Sequence, residues 1–101
     1  MNYRITENGG VTRIALEGSL NFAANEEFQR LLQTLLAARP GQVVFDLSGL
    51  GGIDSVGLGL LYIAQEDLSA QGGRLVLASP RANVARLLDL TEAQQTFTIV
   101  P

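Results

Sequence analysis

The run Val43–Leu61, VVFDLSGLGGIDSVGLGLL, decides how the rest of the chain is read. Val43, Val44 and Phe45 are consecutive and apolar up to Asp46, as in a strand covered on both faces or central in a sheet. Glycines at 49, 51 and 52 then predict a loop. The polar pair Asp54-Ser55 precedes a mostly apolar segment of helical length, expected to run to about Gln71. Strand, loop and a serine at a helix start would put a hydroxyl at the surface. It would lie beside unpaired N–H groups near Val56 to Leu58 and the positive end of the helix dipole.

Working outward, Arg39-Pro40-Gly41 precedes the strand and should end an earlier helix. In that helix Phe28, Leu31, Leu32, Leu35 and Leu36 recur at helical spacing, which makes one buried stripe. Asn25 is the expected N-cap, with Glu26 and Glu27 suited to the first turn. Further back, Tyr3–Thr6 and Val11–Gly18 are short alternating runs joined by Glu7-Asn8-Gly9-Gly10, a hairpin signal.

Towards the other end, Gly72-Gly73 closes the second helix and Arg74–Ser79 reads as a fourth strand. Ser79-Pro80 is expected to start a third helix as N-cap and first-turn proline, with Val84, Leu87 and Leu88 buried. Thr91-Glu92-Ala93-Gln94 should form a capping box for a last short helix, and Phe97–Val100 is a terminal β-like run. The order is β-β-α-β-α-β-α. It gives an α/β fold in which an N-terminal hairpin leads into a mixed sheet of four to five strands, with parallel pairing through crossovers after the hairpin.

Composition narrows the chemistry. The 101 residues make one domain, 1–101, and 47% hydrophobic content supports a packed core. The longest apolar run, Val56–Ala64, is far short of a membrane span, and the first ten residues hold no signal-peptide core. Net charge is −3, and all seven basic residues are scattered arginines, which argues against nucleic acid as a partner. There is no His, Cys or Lys. Their absence removes the usual general base, the thiolate nucleophile, Schiff-base chemistry and the common zinc ligands, so neither a metal nor a cofactor is expected.

The glycines do not spell a nucleotide site. A phosphate-binding loop needs Gly-Lys-Ser/Thr at its end, whereas Gly57 is followed by Leu58 and Gly59. Nor does Ser55 make a hydrolase elbow: Ile53-Asp54-Ser55-Val56-Gly57 lacks the first glycine, and there is no imidazole to act as base. Gly57 and Gly59 weaken a helix by about 0.8–1 kcal/mol each against Ala. Close packing on the sheet and space for a partner's backbone both remain open as reasons.

Gly18-x-Leu20, Asp46-Leu47-Ser48, Asp54-Ser55-x-Gly57-Leu58, Gly72-Gly73 and Ser79-Pro80 with Leu87-Leu88-x-Leu90-Thr91 together resemble the STAS family, the domain shared by anti-sigma-factor antagonists and sulphate transporters. The resemblance implies a mixed sheet with helices mainly on one side. In the antagonist branch it implies a non-catalytic bacterial, cytoplasmic switch, monomeric or weakly dimeric. Its partners would be an anti-sigma factor that is also a GHKL-type ATPase and serine kinase, and a PPM-type serine phosphatase.

On this resemblance Ser55 is the phosphate acceptor, and Ser19, Asn21, Asp54, Val56, Gly57 and Leu58 make the partner-binding surface. Asn21 stands where the family usually has Asp, and Glu92-Ala93 where Gly-Leu is common. Val56 takes a position often held by a second Ser, so Ser55 is the one hydroxyl at the helix start. The competing expectation is a constitutive STAS scaffold or transporter-associated subunit, in which Ser55 serves only as a helix cap.

Overall fold

A computed structural model describes residues 1–101. The elements are β1 (Asn2–Asn8), β2 (Val11–Leu20), a 3-10 turn (Phe22–Ala24), α1 (Asn25–Ala38), β3 (Gln42–Ile53), α2 (Ser55–Ala70), β4 (Arg74–Ala78), α3 (Ala82–Leu90), a second 3-10 turn (Ala93–Gln95) and β5 (Thr98–Val100). The sheet has five strands in chain order, β1-β2-β3-β4-β5. The hairpin pair β1–β2 is antiparallel and every later pairing is parallel.

The hairpin closes through Gly9 and Gly10, with Asn8 opposite Val11. Both glycines have positive φ, 59° and 84°. That is the backbone a two-residue turn needs to follow the right-handed twist of its strands.

One face of the sheet carries the core. Thr12, Ile14 and Leu16 of β2, Val43, Phe45 and Leu47 of β3, and Leu75 and Leu77 of β4 are buried. All but Thr12 join Phe28, Leu31, Leu32 and Leu35 of α1, Leu60, Leu61, Ala64 and Leu68 of α2, and Val84 and Leu88 of α3 in one cluster. All three helices therefore cover the same face. Phe28 stacks obliquely on Phe45 with ring centroids 5.7 Å apart, which ties α1 to the middle of the sheet. The opposite face holds a cluster made of strand residues alone: Val44, Val76 and Ala78, with Val11 against them.

Several local expectations are corrected. β3 does not stop at Leu47. It continues through Gly49, Gly51 and Gly52 to Ile53, paired with β2 as far as Leu20. The predicted glycine loop is thus a strand, kept in register by two bulges. Leu16 lies opposite both Leu47 and Ser48, and Gly51 is the extra residue between the Gly18–Leu50 and Ser19–Gly52 pairs.

Helix starts also differ. Asn25 is the first residue of α1 rather than its cap, because the turn at 22–24 runs straight into the helix and Asn21 caps that turn. Ser79 has φ 58° and ends β4, so α3 begins later, at Ala82 after Arg81, with no side-chain cap. The capping box does not form. Thr91 closes α3 instead, its hydroxyl donating to the Leu87 carbonyl at 2.8 Å, and Glu92 is left-handed with φ 55°.

Asp46 fixes the first bulge. Its Oδ1 accepts the Ser48 N–H at 3.0 Å and the Ser48 hydroxyl at 2.7 Å, and its Oδ2 accepts Arg13 Nη2 at 3.1 Å. Burial acts to raise the Asp46 pKa. The hydrogen bonds from Ser48, then the bond and charge of Arg13, outweigh it and hold the carboxyl below its ordinary value. A lowered folded value means the folded state favours the carboxylate, so its stabilisation is present above the ordinary value and lost as pH falls. Asp46→Asn should therefore melt below the wild type at neutral pH. That gap should shrink as the pH falls below about 4, the ordinary carboxylate range. Thermal melts of both proteins from pH 7 to pH 2.5 check this, and a gap that stays constant or widens would contradict the clamp.

Candidate functional site

The site is the junction where β2 and β3 end side by side. Leu20 is the last residue of β2 and pairs with Ile53, the last of β3. Each strand then turns into a helical segment, and one side chain joins the two turns. Asp54 sits in extended backbone as N-cap of α2, and its Oδ1 accepts the Gly57 N–H at 2.8 Å. Its Oδ2 accepts the N–H of Phe22, across the junction, at 3.4 Å. The Asp54 N–H donates to the Leu20 carbonyl at 3.4 Å, and the Asp54 carbonyl accepts the Leu58 N–H at 2.9 Å. Asn21 caps the neighbouring turn, its Oδ1 accepting the Ala24 N–H at 3.2 Å.

Gly57 explains how close the two segments come. It is buried, and a β-carbon built there would overlap the Leu20 carbonyl oxygen and press on the Ile53 side chain. Helix α2 thus starts flush against the end of β2 because position 57 carries no side chain. Gly59 is different: a β-carbon there would meet nothing within 4 Å. Of the two open reasons for these glycines, close packing holds at Gly57, and open space is found at Gly59.

Ser55 is the first residue of α2 and is exposed, and its hydroxyl makes no hydrogen bond within the chain. Asp54 has taken the capping role, so the Ser55 oxygen is uncommitted. Gly57 and Leu58 spend their N–H groups on Asp54, so of the expected 56–58 span only Val56 keeps a free donor, joined by the N–H of Ser55. Two free amides at a helix N-terminus still favour an anion there.

The other expected residues separate. Ser19 and Val56 are exposed, Val56 at 36%. Asn21 is half-buried with its oxygen engaged in capping, and the exposed Asp54 spends its carboxylate on the junction. Leu58 packs against the core. Gly57 has no open surface and shapes the site from beneath. Of the expected contact residues, Ser19, Val56 and Ser55 are thus the ones left exposed and uncommitted.

Exposed apolar side chains outside the expected set are Phe22, 74% exposed, on the turn after β2, and Ile63, 46% exposed, on α2. The sequence carried a signal for each. Phe22 follows Asn21 and lies outside the stripe that Phe28 begins, and the first half of α2 is apolar nearly all round, more than one buried face requires. The site holds a free hydroxyl, two free amides and exposed apolar side chains. The carboxylate next to the hydroxyl, Asp54, is engaged by the Gly57 and Phe22 amides.

The chain belongs to the STAS family: the STAS domain model matches residues 2–101. Solved structures share the fold. A Thermotoga maritima protein described as an anti-sigma factor antagonist superposes with a TM-score of 0.90 at 24% identity, over 98% of this chain and 86% of its own. The phosphorylated form of SpoIIAA, a Bacillus cell fate determinant, gives 0.74 at 19% identity over 99% and 92%. A sulfate transporter family protein of Wolinella succinogenes gives 0.77 at 17% identity over 90% and 76%.

The glycines give a paired prediction. Gly57→Ala adds up to about 1 kcal/mol of helix propensity but forces overpacking of about 1–3 kcal/mol, so it should melt lower than the wild type. Gly59→Ala has the same propensity gain and no clash, so it should melt higher, by up to about 4–8 °C at this size. Calorimetry of both variants reads the signs; equal shifts would contradict the packing of Gly57 on Leu20.

Proposed function

We propose that this protein is an anti-sigma-factor antagonist working as a phosphorylation switch, with Ser55 as acceptor. One observation carries the reading: Asp54 caps α2, so the exposed Ser55 hydroxyl has no structural duty. Family membership and the SpoIIAA likeness support it. In this reading the unmodified site binds an anti-sigma factor in the bacterial cytoplasm and thereby frees a sigma factor. That anti-sigma factor is also a GHKL-type serine kinase. Transfer of phosphate to Ser55 ends the complex, and a PPM-type phosphatase restores the acceptor. ATP and metal belong to those partners, and the domain performs no chemistry of its own.

Release follows from desolvation. Phosphoserine brings about −1.5 to −2 charges to a site whose neighbour is Asp54. Exposed to water, this anion is tolerated, because repulsion of about 1 kcal/mol per charge pair at ~4 Å is offset by the free Ser55 and Val56 amides and the helix dipole. Buried in an interface without a cation, it costs on the order of several kcal/mol, and each ~1.4 kcal/mol is tenfold in affinity.

The alternative, a constitutive scaffold or transporter-associated subunit, makes Ser55 a cap, and Asp54 holds that post. The test incubates the protein with ATP and each GHKL-type anti-sigma factor of its genome, followed by peptide mass mapping. The expected result is one phosphate on Ser55, with Ser55→Ala bound by the same kinase but not released by ATP. Phosphate on Ser48, or release of Ser55→Ala, would overturn the assignment.

A further inference from the structure

We propose that the end of the sheet farthest from Ser55 holds a binding site for a small zwitterion, an α-amino acid, with its carboxylate on Arg39 and its ammonium on Glu7. The inference goes beyond the antagonist reading and does not rest on it.

A basin of about 500 Å³ opens there between the β1–β2 turn and the connection from α1 to β3. Its floor is a cross-strand pair, Glu7 of β1 directly opposite Thr12 of β2. Directly opposed residues share a face of the sheet, and Thr12 lies on the core face with Ile14 and Leu16. Both side chains therefore rise on the side where α1 ends, and Arg39, which follows α1, forms the facing wall. Eight positions of β2 separate Thr12 from Leu20 at the Ser55 junction, about 26 Å at ~3.3 Å per residue. The two sites are distinct.

Thr12 gives the independent reason to look for a ligand. It is the buried polar residue of the domain, 7% exposed. Thr34 and Thr91 place their hydroxyls on backbone carbonyls one turn back. The Thr12 hydroxyl has no partner in the chain, and Thr12 lines the basin. A buried hydroxyl without a partner destabilises a fold, and valine would fill the same space without that penalty. The hydroxyl is useful here to a polar group that enters the basin.

Charge names that group. Glu7 and Arg39 are both exposed and line one basin with opposite charges. Neither is in an ion pair: those of the chain join Met1 to Glu27, Arg4 to Glu17 and Arg13 to Asp46. An unpaired acid and an unpaired base across one cavity suit a ligand that carries both charges close together. A phosphate or a dicarboxylate would meet a carboxylate as well as the cation. Gly9 and Gly10 donate their N–H groups to nothing in the chain, and these supplement Arg39 at the ligand's carboxylate. Two of the ten lining residues are hydrophobic, so an apolar ligand would find little to bury against.

The test titrates L-alanine, acetate and methylammonium separately into the isotope-labelled protein and follows backbone amides by NMR. L-Alanine should give saturable shifts at Gly9, Gly10, Thr12 and Gly41, with a Kd on the order of 1 mM. Each single-charge probe should bind about tenfold or more weakly, as should L-alanine to Glu7→Gln or Arg39→Gln, because each case removes a charge-assisted contact. Thr12→Val should also weaken L-alanine while melting at or above the wild type, since the hydroxyl has no internal duty. No saturable shift with L-alanine, or shifts confined to other surfaces, would overturn the site. Acetate binding as tightly as L-alanine would overturn the zwitterion. A Thr12→Val protein that melts lower, or that binds L-alanine as the wild type does, would overturn the role of the hydroxyl.

Discussion

The Asp54 carboxylate ties together the two turns that follow the paired ends of β2 and β3. One oxygen takes an N–H from the first turn of α2, the other an N–H from the turn that follows β2, more than thirty residues earlier. An N-cap such as the 2.8 Å bond from Gly57 contributes about 1 kcal/mol, and the exposed 3.4 Å bond from Phe22 contributes less. This one side chain therefore sets both where α2 starts and where Phe22 sits. The Leu20 carbonyl, Asp54 N–H and Gly57 backbone complete the contact, and no rearrangement is needed to expose Ser55.

A division of labour follows from that constraint. The residues that look chemical, Asp46, Asp54 and Asn21, are spent on architecture: a bulge clamp, a double cap and a turn cap. Those left uncommitted are a hydroxyl, two amides and three exposed apolar side chains. Such a surface can recognise and be modified. Rigid support beneath Ser55 also means that a phosphate there changes the surface rather than the fold.

The sequence showed the architecture because hydrophobic period and turn chemistry are local. The Phe28–Leu35 stripe, the Gly9-Gly10 turn and the apolar runs of β3 and β4 each carry their own signal, and every expected strand and long helix is present, although β3 runs on to Ile53 and α3 starts only at Ala82. What escaped depends on partners distant in the chain. Gly49, Gly51 and Gly52 read as a loop because glycine disfavours strands, and only pairing with Glu17–Leu20 makes them one. The capping roles given to Asn25, Ser79 and Thr91 were displaced because side chains cap whichever amide the tertiary fold leaves bare. At the site, Ser55 was legible from its motif. The burial of Gly57 and the isolation of Phe22 were not, since both depend on where β2 ends relative to α2.

The central claim is that Asp54 builds a finished platform on which Ser55 is free, so that phosphate alters affinity and leaves the fold unchanged. Backbone amide NMR of the phosphorylated and unmodified protein, read beside the affinity of each for the anti-sigma factor, tests this most directly. The account predicts shift changes confined to the first turns of α2 and the facing 22–24 turn, with affinity lower by about a hundredfold or more, from an unpaired charge at the interface. Shift changes spreading through the sheet core, or an affinity that phosphate leaves unchanged, would contradict it.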